Sequence, residues 1–213
     1  MFENIPAYYY NALVTIMFLI VFVSMFWLSV YTIHRRKIHG NSSNKVFFPS
    51  VSVIVPAYNE KKNIANTLRS IFRTSYPKEK MEVIVVNDGS TDETAKIAKN
   101  FPVKLISYKR NKGKVFALNK GIEFAKSEII ITTDADTELE PQSIGLLVRH
   151  MKDNDVGAVA GVYKAKRISS IKNIFKFILE KIQALEYLGF ILIRKQQEML
   201  NAILVVPGSI AAY

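Results

Sequence analysis

Two aspartates, Asp134 and Asp136, follow a run of apolar and β-branched residues in the segment EIIITTDAD, residues 128–136. Such a run is typical of a buried parallel strand, apolar on both faces until the carboxylates begin. We therefore expect the two carboxylates at the carboxyl end of a strand, in a crevice. Carboxylate oxygens suit a hard divalent cation, Mg²⁺ or Mn²⁺. Because an Asp-x-Asp pair is also common in surface turns, the surrounding elements decide its meaning.

After residue 50 the chain alternates between strand patterns and helix patterns. Strand patterns occur at 50–60, 81–90, 103–108, 128–136 and 156–163, and helix patterns at 61–75, 90–101, 112–126 and 141–153. This alternation predicts an α/β fold with a mostly parallel, Rossmann-like sheet and flanking helices, in which ligands bind beyond the carboxyl ends of the strands. Asp88, Asp134 and Asp136 each follow a strand pattern, so we expect them to converge on one crevice.

Two of the helix patterns carry finer signals. In the first, apolar residues between Ile64 and Phe72 recur at the spacing of one helical face. At the second, Ser90 and Glu93 have the spacing of a capping box, which predicts that this helix opens at Ser90.

The glycines exclude two common classes of phosphate-binding α/β protein. The chain has no G-x-G pair, and no G-x-x-x-x-G-K-[ST] motif includes Lys114. The strand patterns are followed instead by PAYNE, NDGSTD, RNKGKVFALNKG and DAD. In these motifs Asn87 and Asp88 offer hydrogen bonds to a base, Lys114 offers charge to phosphates, and the DAD aspartates offer cation ligands. Such a set suits a nucleoside diphosphate bridged by a divalent cation.

Each of these residues also has a purely structural interpretation. Asp88 and Asp92, on either side of a Gly-Ser pair, are typical of a turn and a helix cap. Glu60 and Lys114 suit solvated helix starts, and Tyr58 suits a packing residue. Only the joint pattern favours a site.

From about Val51 to Gly161 the four motifs, in this order and spacing, resemble the nucleotide-sugar-binding domain of the family 2 glycosyltransferases, which have the GT-A fold. The resemblance implies transfer of a sugar from a nucleoside-diphosphate sugar, with inversion at the anomeric carbon, to a glycan or lipid acceptor. The roles it implies are Ala57, Tyr58 and Glu60 on the base and ribose side, Asp88 at the base, Lys114 near the diphosphate, Asp134 supporting the donor, and Asp136 as the metal ligand.

The segment KIQALEYLGF, residues 181–190, ahead of PGS resembles the corresponding part of processive polysaccharide synthases. This resemblance implies a UDP-linked donor, with UDP-N-acetylglucosamine as the leading expectation. In the family the general base follows a segment resembling VVPGSIAAY, so the catalytic base is expected beyond Tyr213 and is not assigned. By the same resemblance the chain is the front part of a synthase, truncated before its acceptor motifs.

Two alternatives to a glycosyltransferase stay open. One is a nucleotide-sugar-binding membrane module without transferase activity on its own. The other is a nucleotidyltransferase, although PAYNEKKN lacks the glycine-rich loop that such an enzyme places after its first strand.

The segment before the α/β pattern indicates a membrane helix. Residues 12–33 are almost wholly apolar and span roughly 33 Å as a helix, enough for a hydrocarbon core of about 30 Å. The basic cluster HRRK follows the apolar run, which is the wrong order for a cleaved signal peptide. By the positive-inside rule the chain after Lys37 is cytoplasmic. The alternative is a buried helix of a soluble protein.

A second helical pattern runs from Ser169 to Leu200, with an apolar face and several Lys and Arg residues. It predicts either an amphipathic helix at the cytoplasmic membrane surface or an ordinary surface helix. The expected protein is a single-pass protein of the cell membrane. Its predicted parts are a short extracytoplasmic N-terminus (1–11), a transmembrane helix (12–33), a basic juxtamembrane linker (34–49), a GT-A domain (50–168), and an amphipathic helix with the start of an acceptor region (169–213).

Composition narrows the class of protein further. With 49% hydrophobic residues the chain is not a disordered tail, and with no cysteine it has no disulfide or thiolate metal site. The formal charge of +11 is dispersed and lacks any nucleic-acid recognition pattern. We therefore expect a membrane partner and no nucleic acid.

Overall fold

A computed structural model describes residues 7–39, 47–162, 174–199, 206 and 209–213. The described residues form two compact bodies. One body contains the helices α1 (Ala7–His39) and α6 (Ile174–Met199), which contact each other. The other body contains a β-sheet and the remaining helices.

Six strands make up the sheet in the described part of the chain. They are β1 (Val51–Ala57), β2 (Met81–Asp88), β3 (Lys104–Tyr108), β4 (Ile129–Thr133), β5 (Val159–Ala160) and β6 (Ile210–Ala212). Their order is β3-β2-β1-β4-β6-β5, with β1 to β4 parallel and β6 antiparallel to both of its neighbours. The chain adds β2 and β3 on one side of β1 and then crosses to add β4 on the other. The strand order therefore reverses between β1 and β4, where open α/β sheets bind ligands.

Helices cover both faces of the sheet: α2 (Ile64–Phe72), α3 (Thr94–Ala98), α4 (Lys114–Phe124) and α5 (Ser143–His150). Alternate residues of β1 point to opposite faces. Val53 and Val55 join a core with Ile64 of α2 and Ile144 of α5. On the other face α4 approaches β1 at Gly121, where a Cβ atom would lie 2.3 Å from Cγ2 of Ile54. Both faces of β1 are thus buried, which explains its continuous apolar sequence.

The predicted α/β fold is confirmed, and β1 to β4, α2, α4 and α5 lie within their predicted ranges. The predicted apolar face of α2 is buried at Ile64, Leu68 and Ile71. The strand predicted at 156–163 is present as β5, which covers two of the described residues in that range. One expectation was wrong: the capping-box helix begins at Thr94, not at Ser90. Strand β6 was not predicted.

Helix α1 includes the predicted membrane segment. Its stretch Tyr8–Ser29 is long and apolar enough to cross a membrane, and none of it is buried. Helix α6 lies within its predicted range, and its apolar side chains are exposed, for example 76% at Phe175 and 68% at Leu185. Of the predicted juxtamembrane linker at 34–49, residues 34–39 belong to α1, and residues 40–46 lie outside the described residues, as does the Pro-Gly of PGS.

Candidate functional site

A cavity of about 360 Å³ opens at the carboxyl ends of β1, β2 and β4, where the strand order reverses. This volume is within the range of small-molecule sites. All seven site residues expected from the sequence line it: Ala57, Tyr58, Glu60, Asp88, Lys114, Asp134 and Asp136. The structure therefore brings together residues that span 80 positions of the sequence.

The loop after β1 has a left-handed residue at its centre. Asn59 has φ +54°, and its neighbours Tyr58 and Glu60 both line the cavity. Tyr58 is 46% exposed. The Glu60 carboxylate accepts a hydrogen bond from Nδ2 of Asn63 at 2.8 Å, so its direction is fixed just ahead of α2.

Three successive backbone N–H groups of this loop donate to side chains of the loop after β2. Asn59 N donates to Ser90 Oγ at 3.0 Å, Glu60 N to Thr94 Oγ1 at 2.8 Å, and Lys61 N to Asp92 Oδ2 at 3.1 Å. In the other direction, Oδ1 of Asn59 accepts from the backbone N of Thr91 at 2.9 Å. We call these contacts between residues 59–61 and 90–94 the loop clip.

The loop clip explains why the predicted capping box does not form. The Ser90 hydroxyl accepts from the backbone N of Asn59, and the N-cap of α3 is Glu93. Thr94, the first residue of the helix, donates to the Asp92 carboxylate from its backbone N at 2.9 Å and from its hydroxyl. Burial raises the pKa of Asp92, but the hydrogen bonds from Thr94 and Lys61 outweigh it and hold the pKa below its ordinary value. The carboxylate is thus stabilised in its charged form.

Asp88 holds a second loop, the one that leads into α4. Its side chain is buried, and its oxygens accept hydrogen bonds from the backbone N of Lys112 at 3.0 Å and of Gly113 at 2.7 Å. Beside it, Gly89 has φ +71°, and a Cβ there would lie 2.5 Å from the backbone of Arg110. These contacts set the backbone that delivers Lys114 to the cavity.

The two DAD aspartates differ in their surroundings. Oδ1 of Asp134 forms an ion pair with Nζ of Lys114. The backbone N of Asp134 donates to the carbonyl of Ser209 at 3.3 Å. The carbonyl of Ala135 accepts from the buried hydroxyl of Thr67 at 2.7 Å. Asp136 is exposed to the cavity, and no partner of its carboxylate is found among the residues that the structure describes.

These carboxylates fit a divalent cation whose ligands come partly from the protein and partly from a phosphate. Within the described ranges no group of three or more His, Cys, Asp or Glu side chains is placed to form a metal cage. Mg²⁺ and related ions are commonly held by one or two carboxylates completed by substrate phosphates and water. Asp136, with Asp134 beside it, suits that arrangement and does not suit an all-protein cage.

Sequence reasoning missed several residues of this site. Asn111 lines the cavity, although its motif was noted only for Lys114. Asn59 and Thr94 were not singled out, because their partners on the other loop lie 31–34 positions away in the sequence. The sequence did offer one sign that Asn59 belongs to the site: it is a polar residue between two expected lining residues, Tyr58 and Glu60.

The sheet order and the cavity at its switch point define an α/β protein of the GT-A class. Solved structures agree: a mannosyltransferase from Pyrobaculum calidifontis, PcManGT, in complex with GDP-Man and Mn²⁺, is 24% identical with a TM-score of 0.56, over 91% of this chain and 54% of that one. Residues 1–349 of S. aureus TarS are also 24% identical, with a TM-score of 0.51 over 57% of this chain and 38% of that one. At this identity the likeness shows the fold.

The family follows from the sequence match. Residues 52–209 match the model described as Glycosyl transferase family 2, and the chain belongs to that family. Its relatives include the poly-β-1,6-N-acetyl-D-glucosamine synthases of Staphylococcus epidermidis and Staphylococcus aureus, each 32% identical over 91% of this chain. The chain spans about half the length of these relatives, 48%. The predicted family resemblance is confirmed.

Proposed function

We propose that this chain is the donor-binding part of a membrane-anchored, inverting glycosyltransferase. In this proposal the donor is a UDP-linked sugar, UDP-N-acetylglucosamine first among them, and the acceptor is a glycan or lipid. The donor class is supported by the names of the synthase relatives. It also agrees with the TarS structure solved in complex with UDP-GlcNAc, whose likeness to this chain is one of fold.

The observation that carries the proposal is that a lysine and a carboxylate without a partner among the described residues line the same cavity. Lys114 and Asp136 line the same crevice, and Asp136 has no partner among the described residues. A diphosphate needs positive charge, and a divalent cation beside it needs a carboxylate ligand. Both requirements are met at the sheet position where α/β proteins bind nucleotides.

Each lining residue has a proposed role. Ala57, Tyr58 and Glu60, at the end of β1 and just after it, border the base and ribose. Asp88 lies at the base side, where its buried carboxylate also holds the loop before α4. In the metal-bound state Asp136 ligates Mg²⁺ or Mn²⁺, Asp134 supports the donor, and Lys114 lies near the diphosphate.

These roles account for the chemistry of transfer. Displacement at the anomeric carbon builds negative charge on the departing diphosphate. Groups that bind this charge more tightly in the transition state than in the ground state lower the barrier. Lys114 contributes one positive charge there, and the cation supplies Lewis-acid stabilisation when it is bound. A general base must also take the acceptor proton, and in this proposal it is a carboxylate beyond Tyr213.

The membrane part of the proposal rests on α1 and α6. We infer that α1 crosses the membrane through Tyr8–Ser29, with the sheet domain on the cytoplasmic side. The exposed apolar side chains of α6 would lie at the membrane surface, with its lysines near anionic headgroups. Because the chain has no cysteine, a single fluorophore can be attached at residue 175 or, as a control, at the exposed Lys96 of the sheet domain. In reconstituted vesicles a lipid-phase quencher is expected to quench the probe at 175 and not the probe at 96; equal quenching would contradict the placement of α6.

Calorimetry on the detergent-solubilised chain tests the donor site. UDP, UDP-N-acetylglucosamine and GDP are titrated with Mn²⁺ or with a chelator. The proteins are the parent, Asp136→Ala, and Glu140→Gln as a matched control that removes an exposed carboxylate on the same loop. We expect Mn²⁺-dependent UDP binding that weakens at least about tenfold in Asp136→Ala only. A folded parent that binds no uridine nucleotide would overturn the proposed donor.

Transfer is separated from binding by a second assay. Release of UDP from UDP-N-acetylglucosamine is followed with the chain alone and with a longer protein that includes sequence beyond Tyr213. If the proposed base lies there, only the longer protein turns over, although both bind UDP. Turnover by the chain alone would place the base among its own residues.

A further inference from the structure

We propose that Asn59, Asp92 and Thr94 are positioning residues, which act through the loop clip to hold Tyr58 and Glu60 in the geometry that binds a nucleotide. This inference rests on the proposed function, because it assumes that the cavity takes a nucleoside diphosphate. The cavity lining includes Tyr58 and Glu60 but none of the three proposed positioning residues.

The first step concerns the backbone between the two lining residues. Tyr58 and Glu60 flank Asn59, whose left-handed conformation is unfavourable for most residues other than glycine. Asn tolerates this region better than most residues, and such a conformation persists only where its surroundings determine it. The direction of both lining side chains depends on this turn, since a different φ at Asn59 rotates one relative to the other.

The second step identifies what determines the turn. The N–H groups of residues 59, 60 and 61 each donate to a side-chain oxygen on the loop after β2, at 2.8–3.1 Å. The side-chain oxygen of Asn59 accepts from that same loop. The peptide groups around Tyr58 and Glu60 are therefore held by bonds running in both directions. Both loops follow neighbouring parallel strands, β1 and β2, so the sheet sets their separation.

The third step makes Thr94 the centre of the loop clip. Thr94 is fully buried, and its single hydroxyl accepts the N–H of Glu60 while donating to the Asp92 carboxylate. The other Asp92 oxygen accepts the N–H of Lys61. Removing this one hydroxyl leaves the Glu60 N–H without its acceptor and loosens Asp92, which costs more than an ordinary exposed hydrogen bond. Replacing Thr94 by valine removes the hydroxyl and keeps the γ-methyl group.

The test compares Thr94→Val with its conservative variant Thr94→Ser in the full chain. Thr74→Val is the matched control, because Thr74 is also buried and its hydroxyl also donates a hydrogen bond, to the carbonyl of Ile71, at the far end of α2. Asn59→Gly is a second variant, which keeps the left-handed turn accessible while deleting the side-chain amide. Each protein is titrated with UDP and with inorganic pyrophosphate, both with Mn²⁺.

We expect Thr94→Val and Asn59→Gly to raise the Kd for UDP about tenfold and to leave the Kd for pyrophosphate within about twofold of the parent. The reason is that the loop clip acts on the base and ribose side, whereas pyrophosphate needs only Lys114 and the cation. Thr94→Ser restores the hydroxyl and is expected to bind UDP within about threefold of the parent. Thr74→Val is expected to bind both ligands like the parent.

The outcomes separate this inference from the function on which it rests. A parent that binds pyrophosphate but no uridine nucleotide overturns the proposed donor. If the parent binds UDP and both folded variants bind it equally well, the positioning role is wrong. An equal loss of UDP and pyrophosphate in both variants would also overturn it, because that pattern indicates general loosening. Should Thr94→Val fail to fold, Asn59→Gly carries the test.

Discussion

The ammonium group of Lys114, at the start of α4, is paired with Oδ1 of Asp134, just after β4. Both side chains line the cavity and both are partly exposed. In the ligand-free protein Asp134 therefore neutralises the Lys114 charge that is proposed to serve a diphosphate. A ligand must compete with this ion pair or replace it.

Competition with the ion pair predicts a gain in affinity when Asp134 is neutralised. In the presence of a chelator, Asp134→Asn is expected to bind UDP roughly two- to fivefold more tightly than the parent, because Lys114 is released for the diphosphate. Lys114→Gln should weaken the same binding. The matched control is Glu123→Gln, which breaks the pair of Glu123 with Lys120 on the same helix and away from the cavity lining. Weaker metal-free binding by Asp134→Asn would contradict the competition.

Asp88 is predicted to matter for stability as well as for binding. Asp88→Asn keeps one acceptor oxygen but turns an amide donor toward the N–H groups of the loop before α4. We expect the free energy of unfolding to fall by roughly 2 kcal/mol, since the lost bonds are buried and charge-assisted. Thermal unfolding of Asp88→Asn is compared with that of Asp155→Asn, a change at an exposed turn. Unchanged stability with lost UDP binding would mean that Asp88 acts on the ligand alone.

Gly89 is predicted to tolerate no side chain. Gly89→Ala adds a Cβ at 2.5 Å from the carbonyl carbon of Arg110 and forces a non-glycine residue to φ +71°. We expect a loss of roughly 2–4 kcal/mol in stability from strain and overpacking. Gly145→Ala in α5 is the control, because nothing lies within 4 Å of its added Cβ, and it should be neutral or stabilising by up to about 1 kcal/mol. Similar unfolding temperatures for the two variants would refute the close approach.

Tyr76 is predicted to make stability depend on alkaline pH. Burial raises the pKa of Tyr76 from 10.0 to about 12, and its hydroxyl donates to the carbonyl of Pro49 at 2.5 Å. Because the folded-state pKa lies above the unfolded value, the contribution is complete below pH 10 and declines as the pH rises through 12. The parent is therefore expected to lose on the order of 2 kcal/mol relative to Tyr76→Phe across this window. A constant difference between the two proteins from pH 9 to 12 would exclude the titration of Tyr76.

Much of the parallel part of the sheet was predictable because its strands are buried on both faces. The continuous apolar runs of β1, β2 and β4 follow from that burial, and their carboxyl ends fixed where the polar motifs would meet. Strand β6 was not predictable in this way. Its residues Ile-Ala-Ala have neither alternation nor a β-branched run, and the strand forms because it pairs with β4 nearly 80 residues earlier.

The candidate site shows the same division. Ligand-type residues such as Asp136 were predicted from their position after a strand. The loop clip was not, because each of its side chains fits a local turn or cap when read alone. Ser90 looked like a helix cap, and only the parallel pairing of β1 with β2 brings Asn59 within its reach. Long-range register decides which of two local roles a hydroxyl takes.

Strands β5 and β6 are paired side by side, with Val159 opposite Ala212. The segment that contains α6 lies between β5 and β6 in the sequence, so its two ends are attached to neighbouring strands of the sheet. The entropy of closing a loop grows only slowly with its length. Segments of different length and character can therefore be inserted between β5 and β6 with little cost to the stability of the sheet. A short turn that joins β5 directly to β6 would remove α6 and keep every residue that lines the cavity.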